Sequence, residues 1–168
     1  PTTAAAAASV NNESAEASES LATAKLSSIV GGLLWISLGT RPDISWAVSR
    51  LASIAHHDEQ NARWRARHIF QYLAMTTTFG LVYKPLTQQV RKNPVLEIFS
   101  DASWSPSGNY SHQGWIVKVN GATVTWGSTR QTIIALSSAE CELIACVSAL
   151  QIGLALRGQL TELAQTQV

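Results

Sequence analysis

Charge is scarce in this sequence. Asp, Glu, Lys and Arg make up 14% of 168 residues and leave a net charge of +1. A total that small does not by itself argue for a nucleic-acid partner. Cysteine is nearly absent, with only Cys141 and Cys146 present. On one helix they would be separated by a rise of roughly 7.5 Å and would point to different faces, beyond disulfide reach. A reducing, intracellular compartment fits that pattern. No run of 18 apolar residues goes uninterrupted, so no membrane span is expected. The most apolar segment, residues 139–156, is broken by Glu140, Glu142 and Gln151. Residues 1–10 lack the basic start and apolar core of a signal peptide, so secretion is not expected either. The chain does not begin with Met, which points to a fragment or a processed product.

The charge that is present is unevenly spread. Residues 25–92 carry nine Lys and Arg against three Asp and Glu; residues 93–168 carry three against five. A basic middle beside an acidic end suits a polyanionic partner, with a metal ion to offset the acids. Solvated faces that merely differ in sign account for it equally well.

Residues 1–20 are Ala, Ser, Thr, Asn and Glu with little to bury, the composition of a disordered linker. Residues 21–85 carry helical signals. A first helix is expected over 21–38, with a soft spot at Gly31-Gly32. A second follows Pro42, with Thr40 as a possible cap and Asp43 near its positive end. Ile44, Val48, Leu51 and Ala55 recur there at helical spacing. A third begins near Asp58 or Asn61 and carries Trp64, Ile69, Phe70 and Leu73. A short strand is expected at 81–83. The tryptophans Trp35, Trp46 and Trp64 are taken as core residues of these helices. His56, His57 and His68 are assigned to structure or solvated loop, and Arg63 with Arg67 to a solvated face that could touch phosphate.

After Pro85 the pattern changes. Strands are expected near 95–101, 113–119 and 122–127, the last two joined by Asn120-Gly121, a strong hairpin signal. A long helix over about 138–157 follows. Ser137 and Glu140 have capping-box spacing, and Gly158 is a plausible stop. Leu143, Val147, Leu150 and Leu154 share one side of it. Its second apolar side, around Ala145, Ala149 and Ile152, is expected to lack a partner. Trp115 and Trp126 should be packed, and Trp104 is left open for substrate contact. The fold class is α+β: a helical region, then a three-stranded antiparallel sheet with one long helix.

Two acids stand out. Asp101 ends the first strand, and Glu140 or Glu142 opens the helix. Carboxylates that converge repel unless a cation sits between them, and Mg²⁺ or Mn²⁺ suits oxygen ligands. Such ions support phosphodiester hydrolysis. Alternatively, Asp101 caps a turn and the glutamates face solvent near a positive helix end. Glu140 and Glu142 are about 200° apart on a helix, so only one can face Asp101.

The run Ser100-Asp101-Ala102-Ser103-Trp104, the bend Trp126-Gly127-Ser128-Thr129-Arg130-Gln131 and the helix start Ala135-Leu136-Ser137-Ser138-Ala139-Glu140-Cys141-Glu142 together resemble the ribonuclease H domain of copia-type retrotransposon polyproteins. Upstream, Thr40-Arg41-Pro42-Asp43-Ile44 and its surroundings resemble the helical connection from reverse transcriptase. The resemblance covers residues 25–160. It implies a metal-dependent nuclease acting on the RNA strand of an RNA–DNA hybrid, with Mg²⁺ or Mn²⁺ as cofactor. Asp101 then maps to the first catalytic and metal-binding carboxylate. Glu142, which precedes Leu143-Ile144-Ala145, maps to the second. It further implies a polyprotein context, in a cytoplasmic particle or the nucleus, with no membrane partner. The organisation expected is a linker over 1–20, a connection region over 21–85 and a partial ribonuclease H-like domain over 93–168. The family's third carboxylate comes from a later strand, and here only Glu162 is acidic beyond the helix start. The basic residue often found before the second strand is replaced by Asn109-Tyr110-Ser111-His112-Gln113. The chain is therefore expected to be inactive alone. The competing expectation is a non-catalytic nucleic-acid-binding or spacer module.

Overall fold

The computed structural model describes residues 24–85, 94–105 and 110–166; the linker expected over residues 1–20 lies outside them. The chain divides into two compact units, Pro1–Phe79 and Gly80–Val168.

The first unit is helical. Helix α1 spans Leu26–Gly39, a 3₁₀ turn Pro42–Ile44, α2 Ser45–Ile54 and α3 Glu59–Met75. Gly31 and Gly32 do not interrupt α1. Asp58 caps α3 by accepting from the Asn61 N–H at 3.0 Å. The core is Ile29, Leu33, Ile44, Val48, Leu51, Ala62, Ala66 and Ile69. The three tryptophans expected in it are outside: Trp35, Trp46 and Trp64 are all exposed. Each lies two residues from a buried one, Trp35 from Leu33, Trp46 from Val48 and Trp64 from both Ala62 and Ala66. Two residues are about 200° of helix, so each ring lands on the far side. Thr40 does not cap α2, which begins five residues later without a side-chain cap.

The second unit holds β1 (Leu96–Ser103), β2 (His112–Val119), β3 (Ala122–Arg130) and α4 (Ser138–Thr166). The sheet is antiparallel in the order β1-β2-β3. The β2–β3 turn has positive φ at both Asn120 (52°) and Gly121 (78°), the geometry whose twist matches a tight hairpin. Asn120 also holds the start of β1: its N–H donates to the Val95 carbonyl and its Oδ1 accepts from the Val95 N–H, both at 2.8 Å. No strand forms at residues 81–83. Tyr83 ties this stretch to the sheet by its hydroxyl, which donates to the Thr123 carbonyl at 2.8 Å, a side-chain contact rather than a ladder.

Helix α4 runs past Gly158. No proline follows, and Gln159 to Leu163 include good helix formers that carry it on. The Glu140 N–H donates to Ser137 Oγ at 3.1 Å, half of the expected capping box. The return bond reaches one residue further back, with Glu140 Oε2 accepting from the Leu136 N–H at 2.6 Å. The helix faces are the reverse of expectation. Cys141, Ala145, Ala149 and Gly153 are buried, whereas Leu143, Val147, Leu150 and Leu154 are exposed. Small side chains let the helix axis approach the sheet; a Cβ added at Gly153 would collide with Ile98 of β1. From Ser138 to Leu163 this helix is long and apolar enough to cross a membrane by length and composition. The polar interruptions at Glu140, Glu142 and Gln151 do not change that. Such a composition equally suits a helix packed on a sheet by one face and on another apolar surface by the other.

Candidate functional site

Side chains alternate across a strand, and Ile98 and Leu96 lie beside Gly153 of α4. Residues 96, 98, 100 and 102 of β1 therefore face the helix, and 97, 99, 101 and 103 face away. Asp101 sits on the far face, exposed, with Gly114 as its cross-strand partner and Ser128 next beyond on β3. His112, buried, is diagonal to it on the same face.

Glu142 comes eleven residues before Gly153, which places the two within about 20° of one another around the helix. That flank lies over β1. Glu140 comes thirteen residues before Gly153 and points about 140° away, with its carboxylate already committed to the Leu136 N–H. The helix runs opposite to β1: Gly153 meets its beginning, and Ser148 Oγ accepts from Gln113 Nε2 at 3.3 Å, where Gln113 pairs with Ala102 near its end. Glu142 thus stands at the level of the end of β1. Trp104 fixes that end, its Nε1–H donating to the Ala135 carbonyl at 3.1 Å. Asp101 and Glu142 consequently share one end of one strand, on opposite sides of it. Since β1 is an edge of the described sheet, the way between them runs around that edge.

The donor set is thin. Among the described residues no group of three or more His, Cys, Asp or Glu is placed to hold a metal ion. Two cations roughly 4 Å apart need several carboxylates between them. Asp101 and Glu142 are both exposed and do not fit that requirement; two carboxylates suit at most one weakly held cation, because Mg²⁺ keeps its waters unless well caged.

Two polar arrangements were missed by sequence reasoning. Gln131, directly after β3, is buried, and its Nε2 donates to the Cys141 carbonyl at 2.8 Å. Its backbone N–H donates to the Ser111 carbonyl, also at 2.8 Å. Gln131 therefore ties the sheet to the first turn of α4. The second is Arg41, nearly buried in the helical unit. Its Nε and Nη2 grip Asp43 at 3.0 and 2.7 Å, and its Nη1 and Nη2 reach the carbonyl and Oγ1 of Thr76 at 3.0 and 2.6 Å. The rings of Tyr72 and Phe79 lie 5.6 and 6.0 Å from the guanidinium. A cation at the end of α3 satisfies a carbonyl that the helix leaves free. The hydrogen bonds from Arg41 hold the Asp43 carboxyl below its ordinary value, against the opposing pull of burial. Those same bonds raise the Arg41 value. The Arg-Pro-Asp signature is thus a brace between helix ends, and Arg41 is satisfied by protein alone.

The Pol polyprotein of transposon RE1 of Arabidopsis thaliana is 33% identical over 117 residues, 68% of this chain and 8% of its own length. That of transposon RE2 from the same plant is 34% identical over 118 residues, again 68% of this chain and 8% of its own length. The chain belongs to the copia-type retrotransposon Pol family. Another relative bears a different name: Secreted RxLR effector protein 161 of Plasmopara viticola is 34% identical over 127 residues, covering 74% of this chain and 85% of that protein. The Pol segment therefore spans most of one relative and under a tenth of the two polyproteins. No family model and no solved structure matches it.

Proposed function

We propose that this Pol segment carries the first part of a ribonuclease H-type unit, with residues 21–85 as the connection from reverse transcriptase and residues 93–168 as the partial nuclease domain. Asp101 and Glu142 are its two acids, an RNA–DNA hybrid is the partner, and Mg²⁺ or Mn²⁺ is the cofactor of a complete domain. The supporting observation is the pairing of a carboxylate at the end of β1 with the one helix flank of α4 that lies over the same strand end. The rest of the polyprotein is the second partner, and the cytoplasmic particle or nucleus is the place of action.

On its own the chain leaves a hybrid uncut, because two exposed carboxylates do not make a two-cation centre. The test is a labelled-hybrid cleavage assay in Mg²⁺ and in Mn²⁺, with Asp101→Asn beside the parent chain. No cutting by either is expected. Robust metal-dependent cutting that vanishes with Asp101→Asn would overturn the inactivity while keeping the acid. Cutting that survives the substitution would remove Asp101 from the proposal.

A second reading has an observation of its own. Trp35, Trp46 and Trp64 are exposed, and exposed aromatic rings stack on unpaired bases. In that reading the helical unit binds nucleic acid without chemistry. Gel-shift titration with single-stranded RNA distinguishes it: binding that falls on Trp35→Ala or Trp64→Ala favours this role, and absence of a shift at low salt removes it.

A further inference from the structure

We propose that Asn120-Gly121 is a latent deamidation site, held closed by the bond from the Val95 N–H and opened when the start of β1 lifts away. The backbone nitrogen of Gly121 attacks Cγ of Asn120 and closes a succinimide ring. The Cγ–Nδ2 bond breaks, and ammonia leaves with the proton from the Gly121 nitrogen. Water then adds to one of the two ring carbonyls and breaks its bond to nitrogen. One opening gives aspartate. The other gives isoaspartate, in which the main chain runs through the former side chain. Of the six asparagines in the chain only Asn120 precedes glycine, the residue that leaves the attacking nitrogen unshielded. Gly121 is exposed, and a Cβ placed there would meet nothing within 4 Å, so water and base reach the turn freely.

The fold restrains the other reactant. Asn120 meets Val95 with two groups: its N–H donates to the Val95 carbonyl and its Oδ1 accepts from the Val95 N–H, both at 2.8 Å. The side-chain carbonyl thus stands in for a main-chain one, just beyond the last paired residues, Leu96 and Val119. Two movements open the site. The peptide unit between Asn120 and Gly121 turns over, which exchanges one two-residue hairpin turn for the other and leaves the β2–β3 ladder intact. Cγ swings from the Val95 side of Cα to the carbonyl side, over the Gly121 nitrogen, and Oδ1 gives up its bond. Val95 is exposed and β1 is an edge of the described sheet, the kind of place where local opening costs least. The two products differ in what they leave behind. Aspartate keeps an acceptor oxygen in the place of Oδ1. Isoaspartate adds a carbon to the main chain and hangs a carboxylate on Cα, so β1, which carries Asp101, loses its fastening at that end.

The test is timed incubation of the full 168-residue chain at mildly alkaline pH. Deamidation at Asn120 is read by peptide mass spectrometry, with Asn61, which precedes alanine in α3, as the internal control. In the urea-unfolded chain Asn120 should convert well before Asn61; equal rates, or no conversion, overturn the site. Folding should slow Asn120, and a folded rate equal to the unfolded one overturns the restraint. Val95→Pro removes the donor at a strand start, where proline is tolerated. It should speed the folded reaction roughly two- to tenfold, the weight of one ordinary hydrogen bond, with circular dichroism melts as the folding control. The second measurement uses the parent chain in urea below its unfolding midpoint, where the rate should rise before the far-UV signal falls. A rate unchanged in folded Val95→Pro, or a parent rate that only follows global unfolding, overturns Val95 as the latch. Hydrogen exchange in the peptide covering residues 94–103 should quicken in isoaspartate-containing chains and not in freshly prepared Asn120→Asp. Quickening in both, or in neither, overturns the loss of fastening.

Discussion

In the helical unit the largest fully buried side chains are Leu33, Val48, Leu51 and Ser37; in the sheet unit they are Val117, Cys141 and Ser111. The first unit closes three helices on a shared cluster of aliphatic groups, and its three tryptophans lie outside. The second closes one helix on one sheet through small groups, and Leu143, Leu150, Leu154 and Leu163 of that helix lie outside. Branched aliphatic side chains are deep enough to meet at the centre of three helices, so a core forms without help. Alanine, cysteine and glycine bring a helix down onto a sheet but contribute little apolar area each. Close approach and large buried area are thus separate achievements, and this chain divides them between its units.

The comparison can be broken most forcefully in the helical unit. Leu33→Ala should cost about 2–5 kcal/mol, the range for a fully buried aliphatic truncation. Urea unfolding read by hydrogen exchange in peptides covering residues 26–75 checks it, and an unchanged midpoint would show that the cluster is not the source of stability. In the sheet unit the sensitive event is the opposite one, adding atoms. A Cβ at Gly127 would meet the six-membered ring of Trp115, so Gly127→Ala should cost about 1–3 kcal/mol. Combining it with Trp115→Phe should recover part of that loss in thermal melts; a double variant worse than the sum would mean that Trp115 is held by something other than Gly127.

The smallest effect expected is a pH dependence confined to the helical unit. Asp43 has its folded value lowered from the ordinary 3.8 by Arg41. The unfolded chain therefore binds its proton first as pH falls. The stability from the pair is present in full above the ordinary value and is lost as pH drops through the lower folded value. Denaturant midpoints for residues 26–75 should be level from neutral pH down to that range and then decline. Asp43→Asn should lower the plateau and flatten the part of the decline that Asp43 contributes. An acid limb of unchanged slope in the variant would assign it to other carboxylates.

Much of this was legible from short-range signals. Asn120-Gly121, the Ser137 and Glu140 spacing and Asp58 announced a turn and two helix starts, because each acts on its own neighbours. Apolar surroundings mislead where the angle around the helix decides. Trp35, Trp46 and Trp64 read as lying on apolar helix faces, although their offset of two from Leu33, Val48 and Ala62 puts them on the far side. Likewise the leucine stripe of α4 outweighed the alanine stripe in apolarity, and only close contact with Ile98 explains why the alanines went in. At the site, the order Asp101 then Glu142 was readable, and so was the commitment of Glu140 near the cap, though not its bond to Leu136. Which face of β1 carries Asp101 was not readable from the motif, since that depends on which residues the helix covers.

The Asn120-Gly121 turn has one more consequence, and it is a matter of parity. A strand has two faces, and every residue is either odd or even with respect to the helix above it. The turn fixes which of Trp115, Ile116 and Val117 are odd by locking β2 against β3. The two bonds from Asn120 to Val95 pass the same parity on to β1. Shift that count by one and Ile98 leaves the helix, Phe99 takes its place, and Asp101 changes sides. The address of the first carboxylate is therefore set at the far end of the sheet, by an asparagine that never comes near it.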